Sequence, residues 1–394
     1  MLIQQLPHNN VDIIGDIHGE IDALEKLLEL LGYNSDGLHP ENRHLVFVGD
    51  LVDRGPDSIA VIRLVKRLID NGKAYCILGN HELNLLIPDR NAHWNETQND
   101  IAQGLWAPPL FKHGNYWFHG QIENMQKNTP EHPSDPDFFH PQALATKEHQ
   151  LEIRRFLKDL PLALESDCLQ VVHGCWMDSA VQALRDLKVD TALEAYQYFE
   201  EHADEASHQS IVKKYADAFQ SFEESTAGNL LRNKHQYQKQ YPSLEKMESS
   251  LKKQNGNPVK VLTSGIERPL NLHTEAPFNT GGRDRFLSRI PWWKEYNNPR
   301  KTTIFGHYWR LRQHSNIQDP HYMFTEAHNL WLENDHNTLT MCVDFSVGAR
   351  YSEREKKIPL ASSEKFLAAL RIKDIQGSLQ YSLIFDDGYQ TKVD

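Results

Sequence analysis

Five turns in the sequence carry side chains that commonly bind cations. Asp16 and His18 stand two positions apart, so in an extended chain both project to the same side and offer a carboxylate and an imidazole to one ion. A mixture of carboxylate, amide and imidazole donors suits manganese, iron or zinc, whereas a soft thiolate site is not offered. The candidate donors are Asp16, His18, Asp50, Asn80, His173 and His307.

Each candidate donor also has an ordinary structural role open to it. Asp16 could begin the helix that starts near Glu20, and the Asn80 amide could satisfy a turn. Most of the 21 histidines must lie on the surface or in the core. The joint pattern favours a metal centre, because five successive strand ends each deliver a donor and three of these turns also carry glycines.

The segments that must position these donors alternate between short β-branched runs and amphipathic stretches, which is the pattern of an α/β fold. Each predicted strand runs into a donor, and α/β sheets place their ligands at the carboxyl ends of strands. Later alternating runs at Thr338–Phe345 and Leu379–Phe385 indicate strands of a second sheet. The first strands are predicted at Val11–Ile14, Leu45–Val48, Tyr75–Leu78, Cys168–Val172 and Lys301–Phe305, and helices at Ile21–Leu31 and Ser58–Asp70.

Residues 178–256 differ from the rest in composition, being rich in Glu, Ala, Lys, Gln and Tyr with helical periodicity. A passage rich in Gly, Pro and Trp follows and is expected to be loop. We predict one domain over residues 1–394, with 178–290 as a helical and loop insertion that forms a cap over the metal cleft. A helical segment packed far from the metals is the alternative.

The composition bounds the partners. The chain has 42 Lys plus Arg against 54 Asp plus Glu, and this net charge of −12 argues against extended nucleic acid. A small phosphorylated substrate remains open, because bound cations reverse the potential locally. No apolar run suits a membrane span and no signal segment precedes Val11, so we expect a cytoplasmic protein without membrane contact. The four cysteines form no C-x-x-C pair and are expected to be reduced.

Three ungapped motifs make the chain similar to a known family. Gly15-Asp16-Ile17-His18-Gly19, Gly49-Asp50-Leu51-Val52-Asp53-Arg54-Gly55 and Gly79-Asn80-His81-Glu82, followed by Val172-His173-Gly174 and Gly306-His307, resemble the motif series of calcineurin-like metallophosphoesterases. Asp-Arg-Gly and Asn-His-Glu look like the phosphoprotein phosphatase branch, in its bacterial type. The first motifs are also similar to bacterial diadenosine-polyphosphate hydrolases and to the phosphatase module of RNA-repair enzymes. The resemblance implies a four-layered α/β/β/α sandwich.

The resemblance also implies metal-binding roles. Asp16 and His18 would bind one metal, and Asp50 would bridge both. The second metal would be completed by Asn80, His173 and His307. Several other branches have a second histidine two positions after the last motif histidine, but Trp309 stands there in this chain. Only three protein ligands are therefore expected at the first metal.

The residues beside the ligands are expected to act on the substrate. His81 would protonate the leaving oxygen if Asp53 holds its ring as imidazolium, and Arg54 would direct two donors at phosphate oxygens. A local salt bridge beside a turn is the plain alternative for Asp53 and Arg54. A second phosphate-binding arginine is implied, with Arg283 and Arg285 as the main candidates and Arg268 as a further one. Asp344 could orient a ligand histidine, hold a metal-bound water or simply form a turn.

These roles predict a two-metal hydrolase of phosphate monoesters, in which a water between the metals attacks phosphorus directly. Manganese is the metal we expect, with iron or zinc as alternatives. The leading substrate is a serine, threonine or tyrosine phosphoprotein, and the alternative is a diadenosine polyphosphate, a nucleotide or an RNA end. An inactive metal-binding scaffold is a third hypothesis. Its mark would be the loss of His81, Arg54 or a ligand, and all of them are present.

Overall fold

Two β-sheets pack face to face between layers of helices in the computed structural model of the 394-residue chain. The predicted four-layered sandwich is therefore confirmed. The structure describes residues 1–7, 10–87, 116–119, 143–203, 205–226, 242–280, 283–312, 322–324, 331, 332, 334, 336, 338–375 and 378–393.

The elements are numbered here in chain order. The strands are β1 (Ile3–Gln5), β2 (Val11–Ile14), β3 (His44–Phe47), β4 (Ala74–Cys76), β5 (Ala163–Glu165), β6 (Leu169–Val172), β7 (Glu267–Pro269), β8 (Phe278–Thr280), β9 (Arg283–Arg285), β10 (Leu287–Arg289), β11 (Thr302–Phe305), β12 (Thr340–Cys342), β13 (Ala368–Ile375), β14 (Ser378–Phe385) and β15 (Gln390–Val393). The α-helices are α1 (Ile21–Leu31), α2 (Ser58–Asp70), α3 (Asn80–Leu86), α4 (Tyr116–His119), α5 (Lys147–Lys158), α6 (Asp178–Asp186), α7 (Ala192–Glu201), α8 (Glu205–Lys214), α9 (Ala216–Thr226), α10 (Leu244–Asn255), α11 (Pro258–Ser264) and α12 (Arg350–Glu355). Among the described residues, no helix is both long and apolar enough to cross a bilayer.

The first sheet has six strands in the order β15-β14-β13-β2-β3-β4. β2, β3 and β4 run parallel, and α1 and α2 connect them in turn. β13 pairs antiparallel with β2, with Ala369 opposite Ile14, and continues into the antiparallel pair with β14. Because the three parallel strands end at one edge, the turns that follow them come together there.

The second sheet has five strands in the order β1-β5-β6-β11-β12. β6, β11 and β12 are parallel, so the turns after β6 and β11 also share one edge. Two small antiparallel ribbons, β7 with β10 and β8 with β9, lie outside the two main sheets.

The alternation of side chains along each strand separates the layers. Val11 and Ile13 of β2 are fully buried in the core between the sheets, together with Val171 and Ile304 of the second sheet. Ile14 points to the opposite face, where it packs in the core that includes the apolar stripes of α1 and α2. The period of two along β2 therefore builds both the inner core and the outer helical layer.

A buried charge cluster on β2 ties three elements together. Asp12 accepts hydrogen bonds from Arg43 Nη2 at 2.9 Å, from Arg371 Nε of β13 at 2.8 Å and from the Tyr33 hydroxyl at 2.8 Å. Burial alone would raise the pKa of Asp12, but the hydrogen bonds from Arg371 and Arg43 hold it below its ordinary value of 3.8. The cluster stabilises the middle of the six-stranded sheet.

The segment 178–290 contains α6 to α11 and the strands β7 to β10. A separate small core joins α9 and α10, formed by Phe219, Phe222, Met247 and Leu251. The passage predicted as loop contains short ribbons instead. The sequence did not reveal them because three-residue strands are too short to show a period of two. Gly281 and Gly282 lie outside the described residues.

Candidate active site

All six predicted metal ligands lie just beyond the carboxyl ends of strands of the two main sheets. Five are buried, and Asn80, the first residue of α3, is half-buried. The first sheet supplies those that follow β2, β3 and β4, and the second sheet supplies those that follow β6 and β11. The six are Asp16, His18, Asp50, Asn80, His173 and His307.

Two groups of donors converge, and Asp50 belongs to both. One group is His18, Asp50 and His81, and the other is Asp50, His173 and His307; in each, the ligand atoms lie within 4.8 Å of one another. Such sharing is what a ligand bridging two ions requires. Asp16 Oδ2 lies 4.0 Å from His18 Nε2, beside the first group.

Backbone carbonyls orient two of the histidine rings. His18 Nδ1 lies 2.9 Å from the Val52 carbonyl oxygen, and His173 Nδ1 lies 2.7 Å from that of Val48. Each Nδ1–H donates to its carbonyl, so each ring directs its Nε2 towards the site. His173 Nε2 lies 3.2 Å from Asp50 Oδ1.

His307 gives a direct test of whether these donors fit a cation. Its Nε2 is buried and has no hydrogen-bond partner in the described structure, and an unpaired buried nitrogen is costly unless a ligand uses its lone pair. Burial, and then the charge of Arg289, lowers the pKa of His307 well below its usual range. Burial and Arg54 do the same to the pKa of His18. Neutral imidazole is the form that binds metals.

The carboxylates of the site carry more negative charge than burial tolerates. Burial, and then Asp344, raises the pKa of Asp16 well above its usual range, and burial with Asp50 raises the pKa of Glu82 to about 7. Burial would also raise the pKa of Asp50, but the neighbouring His173 holds it well below its usual range. Divalent cations would neutralise the negative charge of these carboxylates, so the set of donors fits such cations.

The turns that present the donors contain backbone conformations that residues other than glycine rarely adopt. Five non-glycine residues of the site have left-handed φ values, and such strain persists only where surrounding contacts enforce it. The motif glycines are needed for space, since a Cβ on Gly306 would lie 2.2 Å from Asp16 Oδ1. The strained residues are His18 (49°), Asp50 (48°), Asp53 (73°), Arg54 (71°) and His307 (72°).

Glu82 joins the turn after β3 to the turn after β4. Its Oε2 accepts hydrogen bonds from the backbone N–H of Asp50 at 2.8 Å and of Gly79 at 3.0 Å, and its Oε1 accepts from Leu51 N–H at 2.7 Å. The side chain is fully buried. Glu82 therefore fixes the positions of Asp50 and Asn80 relative to each other, although the sequence analysis gave it no role.

The predicted acid, His81, sits at the end of a buried hydrogen-bonded chain. Its Nδ1 lies 2.5 Å from Asp53 Oδ2, while Asp53 Oδ1 accepts a hydrogen bond from Trp117 Nε1 at 2.6 Å. Trp117 lies in α4 and is 1% exposed. The other ring nitrogen, His81 Nε2, faces the site and lies 3.8 Å from Asp50 Oδ2. Sequence reasoning missed Trp117, which lies far from every motif.

Arg54 lies across the mouth of the donor cluster. Its Nη1 is 2.7 Å from His18 Nε2, and its Nη2 is 3.2 Å from His81 Nε2. The guanidinium carbon lies 4.6 Å from the centre of the Trp309 ring. Its two terminal nitrogens thus lie between a predicted metal ligand, His18, and the predicted acid, His81.

The arginines proposed for a second phosphate contact differ in their surroundings. Arg268 forms a two-pronged ion pair with Glu275, with both N···O distances at 2.7 Å. Arg285 is exposed on β9, and the side chain of Arg283 lies outside the described structure. Arg289 of β10, which the sequence analysis did not select, reaches the site: its Nη1 lies 3.4 Å from the His307 carbonyl oxygen.

Asp344 shapes the loop that follows His307. Its Oδ2 accepts from Trp309 N–H at 2.9 Å and its Oδ1 accepts from Ser346 N–H at 2.8 Å. These are the contacts of a structural turn, and they fix the direction of the backbone after His307.

Comparison with known proteins agrees with this geometry. Residues 10–177 match the calcineurin-like phosphoesterase family. Over 74 residues the chain is 55% identical to bis(5'-nucleosyl)-tetraphosphatase PrpE (asymmetrical) of Oceanobacillus iheyensis, and over 73 residues it is 51% identical to the PrpE of Halalkalibacterium halodurans. Each alignment covers 18% of this chain and 30% of the relative, so the chain spans less than a third of the length of these relatives.

Among solved structures, the cold-active protein-tyrosine phosphatase of a psychrophilic Shewanella species aligns over 99% of this chain and 83% of its own, with 16% identity and a TM-score of 0.41. The family match over residues 10–177 and the motif series support the resemblance to calcineurin-like metallophosphoesterases. The resemblance stated from the motifs is thereby confirmed at the level of the superfamily.

Proposed function

We propose that this protein hydrolyses phosphate monoesters of small phosphorylated compounds with the help of two divalent cations. The observation that carries the proposal is that Asp50 belongs to two converging donor groups, beside a buried His81–Asp53 pair and the Arg54 guanidinium. Such a hydrolysis needs ligands for two ions, a proton donor for the leaving oxygen and a cationic group that binds the phosphate oxygens. Manganese stays our preferred metal.

The two donor groups divide the metal-binding work. Asp16 and His18 would hold one ion with Asp50, which would share its carboxylate with the second. When bound, the pair of cations supplies an acidified water and positive charge opposite the phosphate oxygens. The second ion would be held by Asp50 with Asn80, His173 and His307.

The remaining groups of the chain act on the ester itself. Arg54 binds non-bridging phosphate oxygens with its two terminal nitrogens, which lie beside His18 Nε2 and His81 Nε2. His81 Nε2 carries the proton that the leaving oxygen takes up, while Asp53 fixes the ring through Nδ1. Trp117 Nε1–H donates to the other Asp53 oxygen, which keeps the Asp53 carboxylate in the orientation that holds the His81 ring.

Arg289 is the arginine we assign to a second phosphate contact, in place of Arg283 and Arg285. Its guanidinium reaches the backbone of His307, and it lies in the segment 178–290, which supports the cap hypothesis. Arg289→Ala should raise KM for a phosphate ester several-fold, whereas Arg300→Ala at an exposed position should not. An unchanged KM in Arg289→Ala would contradict the assignment.

The proposal is tested by comparing two aryl phosphates of different leaving-group acidity in the presence of manganese. His81→Ala should lower kcat for phenyl phosphate by roughly 10²–10⁴ and should lower it much less for nitrophenyl phosphate, which needs no proton donor. His202→Ala, which changes an exposed histidine of α7's C-terminal turn, is the control. Absence of manganese-dependent hydrolysis of either ester by the unmodified protein would overturn the proposal.

A second candidate is cleavage of a dinucleoside polyphosphate, which the PrpE names of the two bacterial relatives favour. A third candidate substrate is a phosphoprotein, which is predicted from the Asp53-Arg54-Gly55 and Asn80-His81-Glu82 motifs. A panel of diadenosine tetraphosphate, phosphopeptides and simple esters separates these substrates. A hundredfold higher kcat/KM for the dinucleotide than for every phosphopeptide would exclude the protein phosphatase hypothesis.

A further inference from the structure

Trp309 is exposed at the edge of the candidate active site. Its side chain is 41% exposed. The tryptophans that are buried in the described structure are Trp117, Trp176, Trp292, Trp293 and Trp331. A single exposed apolar residue on a protein surface needs no explanation. An exposed indole beside a cluster of buried polar groups is different, because it offers a flat apolar surface for a ligand bound at that cluster.

The backbone of Trp309 is held in a fixed conformation. The residue has a left-handed φ of 53°, and its N–H donates to Asp344 Oδ2 at 2.9 Å. Its neighbours Tyr308 and Arg310 are each 3% exposed. Because the backbone is anchored on both sides and at its own N–H, only the side-chain torsions of Trp309 remain to be ordered when a ligand packs on the ring.

The position of Arg54 relates this ring to the phosphate. The guanidinium carbon of Arg54 lies 4.6 Å from the Trp309 ring centre, and the terminal nitrogens of the same group lie 2.7 Å from His18 Nε2 and 3.2 Å from His81 Nε2. A phosphate held by Arg54 would therefore have its leaving group, which His81 protonates, close to the exposed indole.

We propose that Trp309 is a stacking platform for an aromatic leaving group, which makes the preferred substrates phosphate esters that carry a planar ring near the phosphorus. This inference rests on the proposed function. Offset or edge contact with the indole makes the binding of an aromatic leaving group more favourable. An alkyl leaving group of similar acidity gains much less binding free energy from the same contact. A phenolic ring and a nucleobase share this chemistry, and they differ in their distance from the phosphate.

The kinetic test compares two esters whose leaving groups are equally acidic: phenyl phosphate and an alkyl phosphate with a suitably fluorinated alcohol. Trp309→Leu should lower the ratio of their kcat/KM values about tenfold through KM for the phenyl ester, and Trp309→Phe should restore most of the ratio. Tyr198→Leu, which changes a 43% exposed aromatic residue of α7, should leave the ratio unchanged. Equal losses on both esters would mean that the indole only supports Arg54, and would overturn the proposal.

A binding measurement separates this inference from the proposed function. Phenylphosphonate and propylphosphonate cannot be hydrolysed, and calorimetry with each compares the aromatic with the aliphatic group directly. Tighter binding of phenylphosphonate that Trp309→Leu abolishes supports the platform even if no ester is turned over. Equal affinities in the unmodified protein would refute it. The methylenephosphonate analogue of adenosine monophosphate, which also cannot be hydrolysed, is a third ligand. If Trp309→Leu weakens its binding, a nucleobase reaches the ring.

Discussion

Replacement of Glu82 by glutamine should be far more damaging than its small change in shape suggests. Both carboxylate oxygens of Glu82 accept backbone N–H groups, from Asp50 and Gly79 on one oxygen and from Leu51 on the other. A glutamine has one accepting oxygen, so in either orientation its NH₂ group must face at least one N–H donor. No rotation of the amide satisfies all three donors.

The magnitude follows from the number of hydrogen bonds affected. Above its pKa of about 7 Glu82 is ionised, and there the loss of one hydrogen bond to a charged group costs about 1.5–3 kcal/mol, while a buried donor left without an acceptor costs about 1–3 kcal/mol. A neutral amide is cheaper to bury than a carboxylate, which offsets part of this cost. We therefore expect Glu82→Gln to lower the free energy of unfolding by about 2–4 kcal/mol.

Urea unfolding of the purified proteins measures this loss, with Glu29→Gln on the exposed face of α1 as the matched control. Elemental analysis of the same samples should show reduced metal in Glu82→Gln, because Asp50 and Asn80 are no longer held together. A loss below about 0.5 kcal/mol, the usual range for surface substitutions, together with full metal content would refute the reasoning.

Three further outcomes are expected. Asp50→Asn should lose bound metal and activity together in elemental and kinetic assays, and two retained metals with near-normal turnover would exclude a bridging role. Trp117→Phe keeps the buried ring but removes its N–H, so kcat for phenyl phosphate should fall with KM little changed; a change confined to KM would contradict the role of Trp117 in fixing Asp53. The lowered pKa of Asp12 means that its ionised form stabilises the fold above pH 3.8 and that this stability is lost as the pH falls through the lower folded-state value. Asp12→Asn should therefore unfold more easily at neutral pH but show a shallower loss of stability between about pH 5 and pH 3, measured by urea midpoints, and parallel curves would contradict this.

The parts of the molecule that sequence could predict are those fixed by local geometry. Asp16 and Asp50 follow strands of the first sheet and His173 follows a strand of the second, so chain position alone placed each of them at the carboxyl end of a strand. Trp117 and Arg289 could not be found in this way. Their contacts, with Asp53 and His307, join segments that are distant along the chain, and no local pattern marks them.

Some secondary structure was missed for a related reason. β13 alternates apolar and charged side chains over only part of its length, so its sequence gives a weak strand signal. Its Arg371 stands opposite Asp12 of β2 and pairs with it. The ribbons formed by β7 to β10 are three residues long, and their existence depends on partners rather than on propensity. The segment 178–290 as a cap stays a prediction.

The pairing of Ile14 with Ala369 has a consequence for how the protein is made in the cell. Synthesis proceeds from the N-terminus, so β2, β3 and β4 emerge long before β13. Until then the side of β2 that β13 covers presents unpaired N–H and C=O groups flanked by apolar Val11 and Ile13, which is a template for pairing with another chain. A ribosome that stops short of Ala368 releases a chain that contains β2, β3 and β4 but leaves this edge of β2 open. Such products should be found with chaperones or in aggregates.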